Sequence, residues 1–363
     1  MQSYRVYVIG VGRVGRQVIR GLRQSRRIHG ARFGVQFVVC GLFDSTGGVW
    51  ADDGLPDDLV DSVLACKEDG RAVGEHAAGT KTSTLPMQSI GHRSVVVDTS
   101  ASDVTGPILV EASNRGARVV MANKKPLTGS PTLFTGLHID TFRIGIESTV
   151  GAGTPVISCL ERLISSGDQV VSIQGVLSGT LGYLMSELEK GTRYSDAIAE
   201  AHRLGYCEPD PRDDLSGIDV ARKILILARI CGATGVELNH VKVESLFPSR
   251  FSQLSVEQFM KSLTELDDEY SDKVKVASAK GCVLRYVAQV SFGERSDPEI
   301  TVGMQIVPRS SPIGSLKGSD NLVSFTTSVY KESPLVVRGK GAGLEVTAAG
   351  VIADIVKTAS VRD

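Results

Sequence analysis

The segment near the start of the chain, "RVYVIGVGRVGRQVIRGLRQS", most constrains what this sequence can fold into. An apolar run of strand length stops at Gly10, Gly12 and Gly15, and apolar residues then recur at helical spacing. In this order of strand, turn and helix, the G-x-G-x-x-G spacing is typical of a dinucleotide-binding turn. Glycine suits the turn because the backbone approaches a pyrophosphate closely, and the helix N-terminus stabilises the phosphate charge. A purely structural glycine turn is the alternative.

Three further apolar runs, at residues 34–45, 94–100 and 117–125, follow at intervals long enough for helices. Such runs predict a parallel sheet with helices on both faces, which is the α/β class and, with the glycine turn, a Rossmann-type nucleotide-binding domain. The glycine-rich "ESTVGAGTP" that begins at Glu147 is a plausible hinge. From there to about residue 330, mixed helix and strand patterns predict a second α/β domain.

Charge and cysteine usage restrict the class of partner. Forty basic and forty-one acidic residues give a formal charge of -1, so no overall field attracts nucleic acid or an anionic membrane. We therefore expect a small-molecule substrate, no nucleic acid and no membrane. Six scattered cysteines without a C-x-x-C pair argue against zinc and disulfides. With no room for a signal peptide and no membrane-length apolar stretch, we expect a cytoplasmic protein.

Polar residues follow several of the predicted strands, at the sheet edge where ligands bind. Thr99 and Ser100 are candidates for the nicotinamide side of a cofactor, and Lys124 for an anionic or carbonyl group, although a loop lysine is ordinarily solvated. Asp44 is a candidate acceptor for a ribose 2′-OH. It lies 29 residues after the last glycine rather than the usual 20 or so, and capping of the next turn is an equal alternative. NAD against NADP therefore stays open.

The segment "GYCEPDPRDDLSGIDVARKILILARI" places five carboxylates ahead of one lysine. We predict a helix from about 213 to 230, capped by Asp213 and Asp214, after two prolines that block helix formation. Asp219 and Lys223 are four residues apart on one face of it. A surface ion pair is the alternative. Because "ILILA" is too apolar for an exposed helix, we favour a lysine in a cleft, held by Asp219, as a proton donor to a carbonyl oxygen.

Taken together, these segments resemble homoserine dehydrogenases over nearly the whole chain. The matching segments are "GVGRVG", "ANKKPL", "ESTVGAGTP", "GVLSGTLGYLM", "GYCEPDPRDDLSGIDVARK", "LKGSDN" and "GAGLEVTAAGV". The chain is most similar to the short, monofunctional kind found in yeast, because nothing after the last helix suggests an ACT domain and nothing before the first strand suggests an aspartate kinase.

The resemblance implies reversible conversion of L-aspartate 4-semialdehyde to L-homoserine with NADP or NAD, on the route to threonine and methionine. It implies a nucleotide domain of residues 1–150 completed by 331–363, and a substrate-binding, catalytic and dimerisation domain of residues 151–330 in a homodimer. It also implies a monovalent cation, sodium, at the glycine-rich loop.

The resemblance assigns individual roles as well. The implied catalytic residues are Lys223 and Lys124. The implied substrate-binding residues are Glu208, Asp219, Asp214 and Thr180. The implied cofactor-binding residues are Gly10, Gly12, Arg13, Val14, Gly15, Thr99, Ser100, Lys124, Gly205 and Gly343. The implied metal ligands are Glu147, Val150, Ala152 and Thr154.

Two departures from the family pattern accompany this assignment. Cys207 stands beside Glu208 where a small hydroxyl residue is familiar, which suggests sensitivity to thiol oxidation. Residues 46–92 follow no pattern of the family and read as polar connections around a helix near Leu59–Cys66. Two other functions are consistent with parts of the sequence: another amino-acid dehydrogenase, and a non-catalytic NAD(P)H-sensing protein that would need the glycine turn but neither lysine.

Overall fold

The computed structural model describes residues 1–138, 140–293 and 297–361. Within these residues the chain forms two compact units, each built on one six-stranded sheet. The first unit consists of Met1–Gly153 together with the C-terminal segment from Gly343, and the second consists of Thr154–Ala342. The chain therefore leaves the first unit once and returns to it.

The strands divide equally between the two units. Those of the first unit are β1 Gln2–Ile9, β2 Val35–Asp44, β3 Gly47–Trp50, β4 Ser94–Asp98, β5 Arg118–Met121 and β6 Ile144–Gly145. Those of the second unit are β7 Val170–Val176, β8 Lys242–Val243, β9 Cys282–Ser291, β10 Glu299–Pro308, β11 Asp320–Thr327 and β12 Leu335–Lys340.

The helices alternate with these strands along the chain. They are α1 Arg13–Gln24, α2 Arg26–Ile28, α3 Asp57–Glu68, α4 Gly106–Asn114, α5 Lys125–Thr128, α6 Pro131–His138, α7 Val156–Ser165, α8 Gly179–Glu189, α9 Tyr194–Arg203, α10 Pro211–Leu215, α11 Ile218–Ile230, α12 Val256–Ser262, α13 Asp267–Ala279 and α14 Leu344–Ser360. A π-helical turn occupies His29–Phe33, and 3-10 turns occupy Val73–Glu75, Met87–Ser89, Glu147–Thr149, Leu238–His240, Ser249–Phe251 and Leu263–Leu266.

The sheet of the first unit has the order β3-β2-β1-β4-β5-β6, and its strands are parallel apart from β3. Ile9 pairs with Asp98, and Asp98 with Met121, so the segments that follow β1, β4 and β5 start side by side at one edge. The predicted Rossmann-type α/β class is confirmed. Ligands of such sheets bind at this carboxyl edge.

The short strand β3 lies in the segment 46–92, where the sequence analysis expected only connections and a helix. The strand begins with two glycines, so its sequence lacks the alternating apolar pattern that predicts a strand. A Cβ on Gly47 would come within 2.0 Å of the Thr80 carbonyl oxygen, so close backbone approach requires glycine there. The helix itself is present as α3, which is somewhat longer than expected.

The C-terminal helix α14 completes the core of the first unit, where Val351 and Ile355 are fully buried with residues of β1, β2 and β4. The chain returns to the first unit at Gly343, and not at residue 331 as the resemblance implied. The reason is that β12 pairs antiparallel with β11 and so belongs to the second sheet. In the second unit the strand order is β12-β11-β7-β9-β10-β8, and α8, α11 and α13 contact β9.

No helix among the described residues is both long enough and apolar enough to cross a membrane.

Candidate active site

The glycine turn of the first unit joins β1 to α1. Gly10 has a φ of +90°, and a Cβ on it would lie 2.5 Å from the backbone nitrogen of Ser100. A Cβ on Gly15 would lie 2.3 Å from the Gly10 carbonyl oxygen. Among the described residues, a Cβ on Gly12 would meet no heavy atom within 4 Å, so the space beside the N-terminus of α1 is open. The turn thus has the shape that admits a phosphate.

Arg13 and Val14 begin α1 beside this opening, Arg13 exposed and Val14 half-buried. Thr99 follows β4 and packs against the turn, where its hydroxyl donates to the Gly10 carbonyl oxygen at 2.8 Å. Ser100 donates both its N–H and its hydroxyl to Asp98, at 2.9 and 2.6 Å. The structure therefore brings the predicted residues after β1 and β4 into direct contact.

Lys124 lies in the segment after β5, at the cap of α5. Its carbonyl oxygen accepts from the N–H groups of Leu127 and Thr128, both at 3.1 Å. Asn123, directly before it, is buried and donates to Asp98 Oδ2 at 3.0 Å. Asp98 therefore joins the segments after β4 and β5, and Thr99 joins the segment after β4 to the glycine turn.

Asp44, at the end of β2, has both carboxylate oxygens engaged within the protein. Lys67 Nζ and the Val73 N–H donate to Oδ2 at 2.7 and 2.9 Å, and Thr46 donates its N–H and hydroxyl to Oδ1. Burial by itself raises the pKa of Asp44, but these hydrogen bonds outweigh it and lower that pKa to about 2. This arrangement favours the alternative in which Asp44 caps the next turn.

In the second unit, Lys223 lies on α11 with its side chain 12% exposed. Its Nζ contacts Asp219 Oδ2 at 2.7 Å and donates to the Leu177 carbonyl oxygen, just after β7, at 2.7 Å. The helix continues into the fully buried residues Ile224–Ala228. The lysine side chain is therefore largely buried and is held by one carboxylate and one carbonyl.

The helix predicted from 213 to 230 is wrong in its first part. The chain forms two helices, α10 and α11, separated at Gly217, whose φ is +75°. A Cβ at this position would lie 2.0 Å from the Tyr286 hydroxyl oxygen, so a close tertiary contact requires glycine at the break. Pro211 begins α10 instead of blocking it, and Asp210 rather than Asp213 or Asp214 caps it by accepting from the Arg212 N–H at 3.0 Å.

The three predicted substrate-binding acids lie on α10, on α11 and in the segment before them, and they interact with one another. The Glu208 N–H donates to Asp214 Oδ2 at 2.8 Å, and Asp214 also interacts with the charges of Glu208 and Asp219. Burial, with these two charges, raises the pKa of Asp214 against the hydrogen bond that it accepts from the Glu208 N–H, while the Thr180 hydroxyl donates to the Tyr206 carbonyl oxygen at 2.6 Å. Neighbouring carboxylates of this kind are the groups that suit a cationic ligand.

The loop predicted to bind a cation begins at Glu147. In the first unit, Val150 is fully buried, and Gly151 and Ala152 adopt φ values of +80° and +58° in succession. A left-handed Ala152 costs roughly 1–2 kcal/mol, and such strain often accompanies a functional loop. The loop packs tightly on α14, because a Cβ on Gly350 would lie 3.1 Å from the Ala152 carbonyl oxygen.

The metal ligands of this loop would be oxygens. Among the described residues, no group of three or more His, Cys, Asp and Glu is arranged to hold a metal ion. A cation here would therefore depend on carbonyl oxygens and on Glu147, a donor set that suits a hard cation. Thr154 begins the second unit.

The last two predicted cofactor residues are exposed glycines. Gly205 follows α9 in the second unit with a φ of +71°, and Gly343 precedes α14 in the first with a φ of +131°.

Comparisons with known proteins decide the family. Residues 155–356 match the family model described as homoserine dehydrogenase. A homoserine dehydrogenase of Emericella nidulans is 39% identical over 285 residues, which cover 75% of this chain and 77% of that protein. The chain belongs to the homoserine dehydrogenase family.

Other homoserine dehydrogenases extend this relationship. The chloroplastic bifunctional aspartokinase/homoserine dehydrogenase 1 of Zea mays is 37% identical over 361 residues. That alignment covers 98% of this chain but 38% of the maize protein, so the chain spans well under half the length of such relatives. A hyperthermophilic archaeal homoserine dehydrogenase solved in complex with NADPH superposes with a TM-score of 0.73 at 25% identity, covering 99% of this chain and 98% of that one.

The sequence analysis missed two residues of the candidate site described above, Asp98 and Asn123. Both lie in segments that it singled out, at the end of "SVVVD" and directly before Lys124. A carboxylate directly after three consecutive valines was the available signal, because burying a charge is costly unless it is hydrogen-bonded. The Leu177 carbonyl, which holds Lys223, had no sequence signal, since any residue type supplies a carbonyl.

Proposed function

We propose that this chain catalyses the NAD(P)-dependent interconversion of L-aspartate 4-semialdehyde and L-homoserine, in amino-acid biosynthesis leading to threonine and methionine. The observation that carries the proposal is the setting of Lys223, a largely buried lysine held by Asp219 and the Leu177 carbonyl beside further carboxylates. In a chain of this family, a non-catalytic role leaves that arrangement unexplained.

The first unit is proposed to bind the dinucleotide. The open N-terminus of α1 at Gly12 supports a pyrophosphate there, and Thr99 and Ser100 lie at the same edge of the sheet. We propose NADP as the preferred form. The archaeal relative was solved with NADPH, and the ion pair with Lys67 neutralises the Asp44 carboxylate that would otherwise repel a 2′-phosphate.

The second unit is proposed to bind the substrate. Glu208, Asp214 and Asp219 supply carboxylates for the α-ammonium group, and Thr180 approaches Asp214 from α8. When bound, the reduced nicotinamide supplies the hydride to the aldehyde carbon. Lys223 then donates its proton to the oxygen that becomes the alcohol and takes it back in the reverse direction. Lys124 is proposed to supply a second positive charge to that oxygen.

Homoserine oxidation and the role of Lys223 can be tested in one experiment. Absorbance at 340 nm is followed with L-homoserine and either NADP+ or NAD+ for the wild type and Lys223→Ala. We expect turnover in the wild type and a loss of about 10²- to 10⁴-fold in kcat for the variant, with unchanged NADPH affinity. Lys261→Ala, which removes an exposed lysine paired with Glu257, is the matched control.

Two outcomes would overturn the proposal. A folded wild type that binds NADPH but oxidises no amino acid would be a nucleotide sensor. Turnover with a different amino acid and none with homoserine would make it another dehydrogenase of this fold.

We further propose that a monovalent cation, sodium, binds through Glu147 and the carbonyl oxygens of Val150, Ala152 and Thr154. The strained backbone at Ala152 supports the proposal. Thermal unfolding in NaCl and in choline chloride at equal ionic strength tests it. We expect a higher Tm in NaCl for the wild type and no difference for Glu147→Gln; equal melting of the wild type in both salts would contradict sodium binding.

A homodimer is also proposed, formed through the sheet of the second unit. One face of that sheet has half-exposed polar side chains, where Gln174 pairs with Gln289 and Ser172 with Ser291 across β7 and β9. Gln174 Nε2 donates to Gln289 Oε1 at 3.0 Å. Light scattering should give twice the chain mass, and Gln174→Glu/Gln289→Glu should halve it by placing like charges on this face. A monomeric wild type would contradict the proposal.

We also propose a reducing compartment, the cytoplasm, because all six cysteines are free thiols.

A further inference from the structure

Asp98 is a fully buried carboxylate at the carboxyl end of β4, and its described hydrogen bonds come from neutral groups. Ser100 donates its N–H and its hydroxyl to Oδ1. Thr105 Oγ1 and Asn123 Nδ2 donate to Oδ2 at 2.7 and 3.0 Å. A carboxylate so completely removed from water is costly unless several donors surround it. The position of Asp98 and its hydrogen-bond donors therefore indicate a role beyond packing in the core.

Asn123 links Asp98 to the segment after β5. Its Nδ2 also donates to the Ser102 carbonyl oxygen at 2.8 Å, and its Oδ1 accepts from the Lys125 N–H at 3.1 Å. The residue before Lys124 and the residue after it are thus both fixed by one carboxamide. Because the Lys124 carbonyl is fixed by α5 as well, the backbone from which its side chain departs has little freedom.

Asp98 has a second link, to the glycine turn. Thr99, its neighbour, donates its N–H to the Ile9 carbonyl oxygen at 2.9 Å and its hydroxyl to the Gly10 carbonyl oxygen at 2.8 Å. The backbone of Ser100, which Asp98 holds, lies against Gly10. Asp98 is therefore linked directly to the Lys124 segment through Asn123, and to the glycine turn through its neighbours Thr99 and Ser100.

We propose that Asp98 and Asn123 are positioning residues that align Thr99, Ser100 and Lys124 for the nicotinamide half of the nucleotide. The inference rests on the proposed dehydrogenase function and extends it to two residues that touch neither substrate nor cofactor. Precise alignment of groups around a reacting centre supplies a large share of an enzyme's rate enhancement, so small displacements of these groups lower kcat strongly.

Isosteric variants separate positioning from simple packing. Asp98→Asn keeps the size but turns an NH₂ group toward a neighbouring donor, and Asn123→Asp opposes two carboxylates. The double variant Asp98→Asn/Asn123→Asp restores a donor and an acceptor in reversed order. Each single variant should lower kcat at least tenfold, and the double variant should regain at least threefold over the poorer single variant.

Nucleotide affinity gives a readout that a purely structural role would not change selectively. NADPH contains the nicotinamide, whereas adenosine 2′,5′-bisphosphate represents the other half of the cofactor. We expect Asp98→Asn to raise the Kd of NADPH at least fivefold and to leave the Kd of the bisphosphate within twofold of the wild type. A wild type that neither binds NADPH nor turns over homoserine would instead contradict the proposed function itself.

Arg118→Met is the matched control, because Arg118 is equally buried but lies at the opposite end of β5. Its Nε donates to the Thr358 carbonyl oxygen at 2.8 Å. This variant should lower the Tm without changing the ratio of the two Kd values. If Asp98→Asn fails to fold, Thr105→Val removes one donor to Asp98 and should show the same selective effect at smaller size.

The inference is overturned if the folded variants lose thermal stability while kcat stays within threefold and both Kd values change in parallel. Failure of the double variant to recover activity would equally contradict the alignment of the two side chains.

Discussion

The backbone N–H of Glu208 donates a 2.8 Å hydrogen bond to the carboxylate of Asp214. Two acidic side chains are thereby kept next to each other, with Asp219 near enough to influence the pKa of Asp214. Active sites often retain such unfavourable charge because the ligand offsets it, which costs stability in the empty protein.

We expect Asp214→Asn to bind homoserine more weakly and to melt no lower than the wild type at pH 7.5. Loss of a hydrogen bond to a charged group costs about 1.5–3 kcal/mol, so KM should rise roughly 10- to 100-fold. Because the pKa of Asp214 is raised in the folded state, ionisation of this group opposes folding as pH rises through that pKa.

Melting curves at pH 7.5 and pH 3.5 check the sign of this effect of pH on stability. The variant's advantage in Tm should be present at the higher pH and disappear at the lower one. A variant that is less stable at pH 7.5 with an unchanged KM would mean that Asp214 is a structural residue.

Cys207 is expected to react slowly with thiol reagents. Burial, followed by the charges of Asp214 and Glu208, raises the pKa of its thiol to about 12, so roughly 10⁻⁴ of it is thiolate at pH 8. This finding opposes the sensitivity to oxidation suggested by the sequence. Iodoacetamide labelling of the Cys207 peptide, followed by mass spectrometry, should be at least 100-fold slower than labelling of glutathione, and Asp214→Asn should accelerate it. Labelling as fast as glutathione would contradict the raised pKa.

The local pattern of the sequence predicted the elements that carry their own signal. The strand before Gly10 and the helix after Gly12 are defined by apolar periodicity and by a glycine spacing that the backbone contacts of Gly10 and Gly15 require. The ion pair of Asp219 and Lys223 was predictable for the same reason, because residues four apart share a helix face.

What the sequence did not predict depends on contacts distant along the chain. At the helix break, only glycine at 217 fits beside the Tyr286 hydroxyl, almost seventy residues away in sequence. The strand β3 exists because Gly47 and Gly48 pair with β2, although neither has a side chain that signals a strand. Asp98 was overlooked because its partners at 105 and 123 converge only in the folded sheet.

Gly12→Ala should fold like the wild type and bind NADPH poorly. A Cβ at Gly12 would meet no described atom within 4 Å, but it would stand at the helix N-terminus where the phosphates approach. We expect the Tm to change by less than about 2 °C and the Kd of NADPH to rise at least tenfold. Gly235→Ala, an equally uncrowded glycine of the second unit, is the control and should change neither quantity. Unimpaired NADPH binding by Gly12→Ala would place the phosphates elsewhere.

Glu189→Gln should destabilise the second unit at neutral pH. Glu189, at the end of α8, accepts from Arg285 and Lys317 at 2.8 and 2.6 Å and also pairs with Arg309. Arg285 is buried, so removing its partner leaves an uncompensated charge and should lower the free energy of unfolding by about 3 kcal/mol.

The pH dependence of this loss has a definite sign. Burial by itself raises the pKa of Glu189, but hydrogen bonds from Lys317 and Arg285 outweigh it and lower that pKa to about 2 from an ordinary 4.5. A depressed carboxyl pKa stabilises the folded state above the ordinary value and loses that contribution as pH falls from 4.5 toward 2. Urea unfolding should therefore show the full difference between wild type and Glu189→Gln at pH 7 and a smaller one at pH 3. Glu187→Gln, which removes a pair with the exposed Lys190 at the end of the same helix, should have little effect at either pH, and an equal loss in both variants would contradict the role of the buried arginine.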